Sequence, residues 1–194
     1  MSKAYRSQNV FFALGVLCTL TVFNGNRFYA LSRAKACVQE IDRKNRDDRP
    51  VAIGYAAQEI KRIFVQEGVT QAVIRLGDTV VNIGHTRRIG IRNPLSGSNE
   101  NFAYLEISEK AMVTLYQNDY SDKEFIRESD LASVTLIGND ALLLSKVCYT
   151  LIGYSLKDAY ALLYGTEYVA ILVSQDGQVR VTGGLSQEQQ TAAA

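Results

Sequence analysis

The stretch V-F-F-A-L-G-V-L-C-T-L-T-V-F, from Val10 to Phe23, constrains the fold more than any other in the chain. β-Branched and aromatic residues dominate it, which favours strand over helix. Gly15 either divides it into two strands or bends one long strand. Read as a helix, the run is too short to span a bilayer. It also carries Thr19 and Thr21 and closes on the turn Asn24-Gly25-Asn26. Lys3 and Arg6 precede it as they would precede a signal peptide, yet no A-x-A site follows, and Leu17 is too bulky before Cys18 for lipoprotein processing. The expectation is a cytoplasmic protein without a membrane span that begins in β-structure.

The period then changes. Phe28, Leu31, Ala34, Val38 and Ile41 recur at helical spacing, with Asn24 or Asn26 available as N-cap. The mixed-charge run D-R-K-N-R-D-D-R, Asp42 to Arg49, reads as a solvated loop, and Pro50 stops the helix from continuing. A second helix is expected from about Gly54 to Glu67, with Ala56, Ile60, Ile63 and Phe64 on one face and Gly68 as C-cap. Because V-A-I-G-Y-A-A (Val51–Ala57) reads as a small-residue turn that opens that helix, it invites comparison with an anion-binding turn.

Short strands follow at Ala72–Leu76 and Val80–Ile83 around Gly77-Asp78, and at Arg88–Asn93 before Pro94. Phe102–Ile107 and Met112–Tyr116 read as a hairpin about Ser108–Ala111, and Asn118–Asp130 as a polar surface excursion. Ala132–Ile137 is a strand, and an apolar helix runs from about Asp140 to Ile152. A shorter helix starts after Ser155, which with Asp158 forms a weak capping box. Tyr168–Ser174 and Gln178–Thr182 make a hairpin about Asp176-Gly177. Residues 186–194 read as a flexible tail, leaving 1–185 as a single domain. Helices and strands interleave without strict βαβ alternation, so the class is α+β.

Composition excludes more than it identifies. A net charge of +1 gives no reason to expect nucleic acid. The cysteines, Cys18, Cys37 and Cys148, have no zinc spacing and read as small apolar residues in a reducing compartment. The single histidine, His85, has no acidic or cysteine neighbour at ligand spacing. Asp119, Asp122, Glu124, Glu128 and Asp130 are interleaved with Lys123 and Arg127 and read as solvated surface. No P-loop, nucleophile elbow or zinc-protease motif is present.

Several phrases, taken in order, nonetheless resemble the ApbE-type FAD:protein FMN transferases. F-F-A-L-G-V-L-C-T-L-T-V-F (11–23) is similar to the family's first strands, and V-Q-E-I-D-R (38–43) to the helix after them. V-A-I-G-Y-A-A (51–57) resembles G-I-A-K-G-Y-A, V-I-R-L-G-D (73–78) the N-L-G-G strand end, and R-I-G-I-R-N-P (88–94) the W-x-I-G-I-x-x-P phrase. A-M-V-T (111–114) looks like the strand before T-S-G, and the last hairpin with Gly177 matches as well. The resemblance implies an ApbE-like, T-fold-related mixed and largely antiparallel sheet with packed helices. It also implies a magnesium-dependent transfer of FMN from FAD to a threonine or serine of a partner protein. Carried over residue by residue, it places any flavin contacts at Ala52, Gly54, Tyr55, Gly77 and Thr114, with the backbone carbonyl of Ala52 as a vestigial metal ligand.

The departures point away from that chemistry. The large flavin-holding segment of the family is missing between about 45 and 50. Pro50 and Ile53 stand where the family has glycine and lysine, Arg75 and Asp78 alter N-L-G-G, and T-S-G becomes Thr114-Leu115-Tyr116. No H-H-I-x-D-P segment lies between Tyr120 and Ser133. The two side chains expected to hold magnesium fall near Leu143 and Val147, with Asp140 three residues off register; a hard cation needs oxygen ligands. The resemblance therefore implies a shortened, degenerate homologue: no catalytic residue, no side-chain metal ligand, and FAD, FMN and Mg2+ only if family activity is retained. The expected role is a binding or assembly protein with a protein partner or a homo-oligomeric state. The alternatives are an active or subunit-completed transferase and a non-covalent flavin-binding protein.

Overall fold

The computed structural model describes residues 7–24, 27–44, 49–96, 100–120 and 129–183. The run that opens the chain is two strands, β1 (Ser7–Ala13) and β2 (Val16–Asn24). Leu14 and Gly15 join them with φ of 56° and 73°, both in the left-handed region that a tight hairpin turn requires. Helices α1 (Arg27–Lys44) and α2 (Arg49–Gln66) follow, then β3 (Gln71–Leu76), β4 (Thr79–Ile83), β5 (Arg87–Arg92), β6 (Asn101–Ile107) and β7 (Ala111–Tyr116). A 3-10 turn at Gln117–Tyr120 precedes β8 (Leu131–Gly138), α3 (Ala141–Leu151), α4 (Leu156–Leu163), β9 (Val169–Ser174) and β10 (Val179–Thr182).

Eight strands form one sheet in the order β1-β2-β3-β4-β7-β8-β9-β10, and every neighbouring pair is antiparallel. The larger core joins the helices to one face through Leu20, Ile74, Val113, Leu136 and Leu172. On the opposite face β5 and β6 form a separate hairpin whose Ile89, Ile91, Ala103 and Leu105 cover Val80, Met112, Ile137 and Ile171. Strands β4 and β7 are therefore buried along their whole length, as expected for sheet covered on both sides. Strand β1, beyond the reach of the hairpin, alternates between partly covered and exposed residues up to Ala13.

The structure corrects three expectations. Phe102–Ile107 does not pair with Met112–Tyr116; β6 pairs with β5, while β7 joins β4 and β8. The buried Asn82 side chain holds this crossover, donating to the carbonyls of His85 at 2.9 Å and Ile107 at 3.0 Å. Helix α2 begins at Arg49, not near Gly54, because Pro50 occupies its first turn, where a missing N–H costs nothing. Phe28 is 87% exposed, and Ala30 instead joins Leu31, Ala34, Val38 and Ile41 in the core. The expected caps and turn at Gly25 and Asn26, the core of the charged run at 45–48, the acidic Asp122, Glu124 and Glu128, and the tail all lie outside the described residues. The expected cap at Ser155 is present, Ser155 Oγ accepting from Asp158 N at 3.2 Å, and Asp140 also caps α3, its Oδ1 accepting from Leu143 N at 3.0 Å. Among the described residues no helix is long and apolar enough to cross a membrane.

Gly54, now inside α2, sets how closely α2 and α3 approach. A Cβ built there would stand 2.6 Å from Ser145 Cβ and 2.7 Å from the Ala141 carbonyl oxygen, closer than real Cβ contacts allow. Gly54→Ala gains about 1 kcal/mol of helix propensity, yet overpacking of this kind costs about 1–3 kcal/mol or more. The expected outcome is a net loss of stability, read as a lower urea midpoint, whereas exposed-face substitutions in α2 leave the midpoint unchanged.

Candidate functional site

Two of the positions singled out by the sequence meet at one end of the sheet. Gly77 opens the β3–β4 turn with φ of 58° and donates its N–H to the Leu17 carbonyl at 3.1 Å. The next residue, Asp78, accepts at its carbonyl from Thr114 N at 3.3 Å. Thr114 is buried, and its hydroxyl lies 3.0 Å from that of Thr135 across β7 and β8.

Charge gathers around this corner. Arg92, the last residue of β5, places Nη2 at 3.4 Å from Asp78 Oδ2 and 3.8 Å from Asp119 Oδ2. Its guanidinium carbon sits 4.1 Å from the centroid of the Tyr116 ring, and the Tyr116 hydroxyl donates to the Arg92 carbonyl at 3.3 Å. Burial raises the carboxyls of Asp78 and Asp119 above their usual range even though Arg92 pulls both down. Burial, and then the charge of Asp78, push the Tyr116 phenol up to about 12. Arg92 is partly desolvated, but Asp78 and Tyr116 more than offset this and raise its pKa. The result is an acid–base–aromatic stack that satisfies itself: the cation is shared by two carboxylates and lies flat on a ring.

Sequence reasoning placed Gly77 and Thr114 here and missed Arg92, Tyr116 and the pairing of Asp78. The available signal was an arginine at a strand end, fourteen residues from Asp78, which acquires meaning only once β5 folds back over the sheet. A neighbouring cleft of about 610 Å³ lies between α4 and the β9–β10 hairpin and is lined by Asp130, Leu156, Tyr160, Ser174, Asp176 and Arg180. Its acids have partners: Asp130 Oδ1 accepts from Leu156 N at 2.6 Å, and Asp176 from Gln178 Nε2 at 2.7 Å.

The other positions belong to α2. Ala52 and Gly54 are buried, and Tyr55 is 42% exposed. Ala52 lies in the first turns of a continuous helix, where its carbonyl faces the N–H of Ala56 in the helical ladder. They are not part of the Arg92 corner: Thr114 lies on the sheet face turned away from the helices. The positions that resemble magnesium ligands do not fit the ion. Leu143 is 46% exposed, Val147 packs against the core, and neither carries an oxygen. Asp140 caps α3, and among the described residues no three His, Cys, Asp or Glu side chains gather.

The geometry defines an antiparallel α+β fold with helices on one side and a hairpin on the other. Solved structures share it. The flavin transferase ApbE from Vibrio cholerae superimposes with a TM-score of 0.74 at 9% identity, over 93% of this chain and 98% of that one. The apo flavinyl transferase ApbE of Pseudomonas stutzeri gives 0.73 at 12% identity, over 92% and 94%. The ApbE protein of Thermotoga maritima gives 0.76 at 12% identity, over 98% and 100%. At such identities the likeness shows the fold alone. No curated protein matches the sequence. The ApbE family model matches residues 24–124, and the chain belongs to the ApbE family.

The raised pKa of Asp78 has a signed consequence. A carboxyl raised above its unfolded value binds more protons in the folded state, so its ionisation lowers stability as pH rises. Below the unfolded value of 3.8 there is no penalty; it develops as pH climbs through the raised folded value. Relative to Asp78→Asn, the wild type is therefore expected to lose stability between acid and neutral pH. Because the site is half-exposed, the change should be at most about 1 kcal/mol. Urea midpoints of both proteins across that range measure it; a difference that does not vary with pH refutes the assignment.

Proposed function

We propose that the chain is a shortened, catalytically silent member of the ApbE family that works by binding or assembly in the cytoplasm. One feature carries this reading: the resemblance sets the two metal-holding side chains near Leu143 and Val147, which offer no side-chain oxygen to a cation. Transfer from FAD breaks a pyrophosphate, and the charge that builds on it needs a metal or an equivalent cluster of cations. The filled corner gives further support. Tyr116 stands where the resemblance places a glycine, and the Arg92 guanidinium lies on its ring. Asp78 adds negative charge where the protein backbone would have to approach a nucleotide. Only residues 45–48 separate α1 from α2, where the family carries its large flavin-holding segment. Free thiols at Cys18, Cys37 and Cys148 suit a reducing compartment.

The test is direct. Purified protein is incubated with FAD, Mg2+ and an acceptor protein bearing a target threonine, then run on a denaturing gel and viewed for flavin fluorescence. The expected outcome is a dark acceptor band; a fluorescent one overturns the proposal. Titration with FAD and FMN in parallel is expected to leave the flavin absorbance unshifted, and a saturable shift would favour a non-covalent flavin-binding role.

A further inference from the structure

Helix α4 buries Leu156, Ala159 and Leu163 against the sheet, while Arg180 of β10 stays exposed beside it. Arg180 is paired in register with Leu172, a member of the helix-side core, so its side chain leaves the sheet on the same face as α4. The step between helix and strand is the cleft of about 610 Å³, a size that suits a small organic molecule.

The walls of the cleft are tied to each other. Asp130 Oδ1 accepts from Leu156 N at 2.6 Å at the start of α4, and the Asp130 carbonyl accepts from Gln175 N at 2.7 Å in the turn between β9 and β10. Asp176 is committed to the same turn. It accepts from Ser174 Oγ, from Gln178 Nε2 at 2.7 Å and from Gln178 N at 3.4 Å. These hydrogen bonds hold its carboxyl below the usual range.

The cations of the cleft are placed differently. Lys157 and Arg180 both line it and are exposed, and among the described residues neither forms an ion pair. Lys157 and Tyr160, at i, i+3 spacing, share one side of α4. The half-buried Tyr160 ring has Tyr164 tilted against it, with centroids 6.1 Å apart, and Arg180 Cζ at 5.9 Å from its centroid. A guanidinium over a ring keeps its in-plane N–H donors available to an acceptor. The acids therefore already hold donors, whereas two cations beside an aromatic wall still lack an acceptor.

From this asymmetry we propose that the cleft is a binding site for a small aromatic carboxylate. The carboxylate meets Arg180 and Lys157, and the ring lies against Tyr160 and Leu156. Two features narrow the class. A guanidinium fork matches a carboxylate through two parallel hydrogen bonds. Asp130 and Asp176 already stand in the walls, and their charge opposes a dianion such as a phosphate monoester more than a monoanion. The site shares no residue with the Arg92 corner or with the positions that resemble flavin and metal contacts. It thus goes beyond the proposed loss of transfer chemistry, and its test is independent of that one.

The isotope-labelled full chain is titrated with phenylacetate and followed by amide NMR. Saturable shifts that include Gly177 and Arg180 are expected. Acetate lacks the ring and benzylamine the negative charge, and each is expected to bind more weakly by roughly tenfold. Arg180→Gln removes a charge-assisted pair and should weaken phenylacetate by roughly tenfold. Tyr160→Leu should weaken phenylacetate and leave acetate unchanged, with circular dichroism showing that both variants keep the fold. A chain that shows no saturable shift with phenylacetate overturns the proposal. So does an Arg180→Gln variant that binds as the wild type does, or acetate, benzylamine or phenyl phosphate binding as tightly as phenylacetate.

Discussion

The close approach of α2 to α3 at Gly54 organises the helical side of the molecule. Only a residue without a side chain allows the Ala141 carbonyl and Ser145 to come so near, and the contact leaves the buried Ser145 hydroxyl without a partner among the described residues. Tight backbone packing outweighs one unsatisfied hydroxyl there, a cost of about 1–3 kcal/mol. The contact also fixes what this region can do. A helix start with free N–H groups is an anion cradle, but α2 starts at Arg49, so only Val51 and Ala52 of the phrase Val51–Ala57 belong to its first turn, and the buried small residues Ala52, Gly54, Ala56 and Ala57 are turned to packing. The same small residues that suggest a phosphate turn in the sequence serve to bring two helices together.

Much of the architecture was legible because local signals were strong. The break at Gly15, the helix start at Asp140, the cap Ser155 and the turn at Asp176-Gly177 each depend on a few adjacent residues. The strand pairing of β6 was not legible from its distance to β7 alone. Its pattern held the answer: N-F-A-Y-L-E-I alternates, as suits a layer with one dry face, whereas A-M-V-T-L-Y is apolar almost throughout, as suits a central strand. Pro50 misled for a related reason. Proline ends one helix and equally begins another, and sequence alone does not say which role applies.

The site was less legible than the fold. Gly77 lies in the turn after β3 and Thr114 within β7, and they come near one another because β4 pairs with both strands and Thr114 N donates to the carbonyl of Asp78. Arg92 arrives from the second layer, and its place over Tyr116 depends on the hairpin folding back. Residues that meet through a layer crossing leave no spacing in the sequence. The corner that results sets one cation between two carboxylates and against a ring, and this suits a structural clasp between hairpin and sheet.

The order of the strands in the large sheet follows the order of the chain, with only the β5–β6 hairpin stepping aside. Each strand after the first is thus laid against a neighbour that has already been synthesised. A ribosome releasing this chain exposes β1 to β4 with α1 and α2 before β7 has emerged, and those elements already share a common apolar surface. Pairing partners wait in sequence order, so the sheet can lengthen from one side as translation proceeds. Assembly in this direction leaves β1, the first of these strands to be made, at the outer edge of the sheet among the described residues.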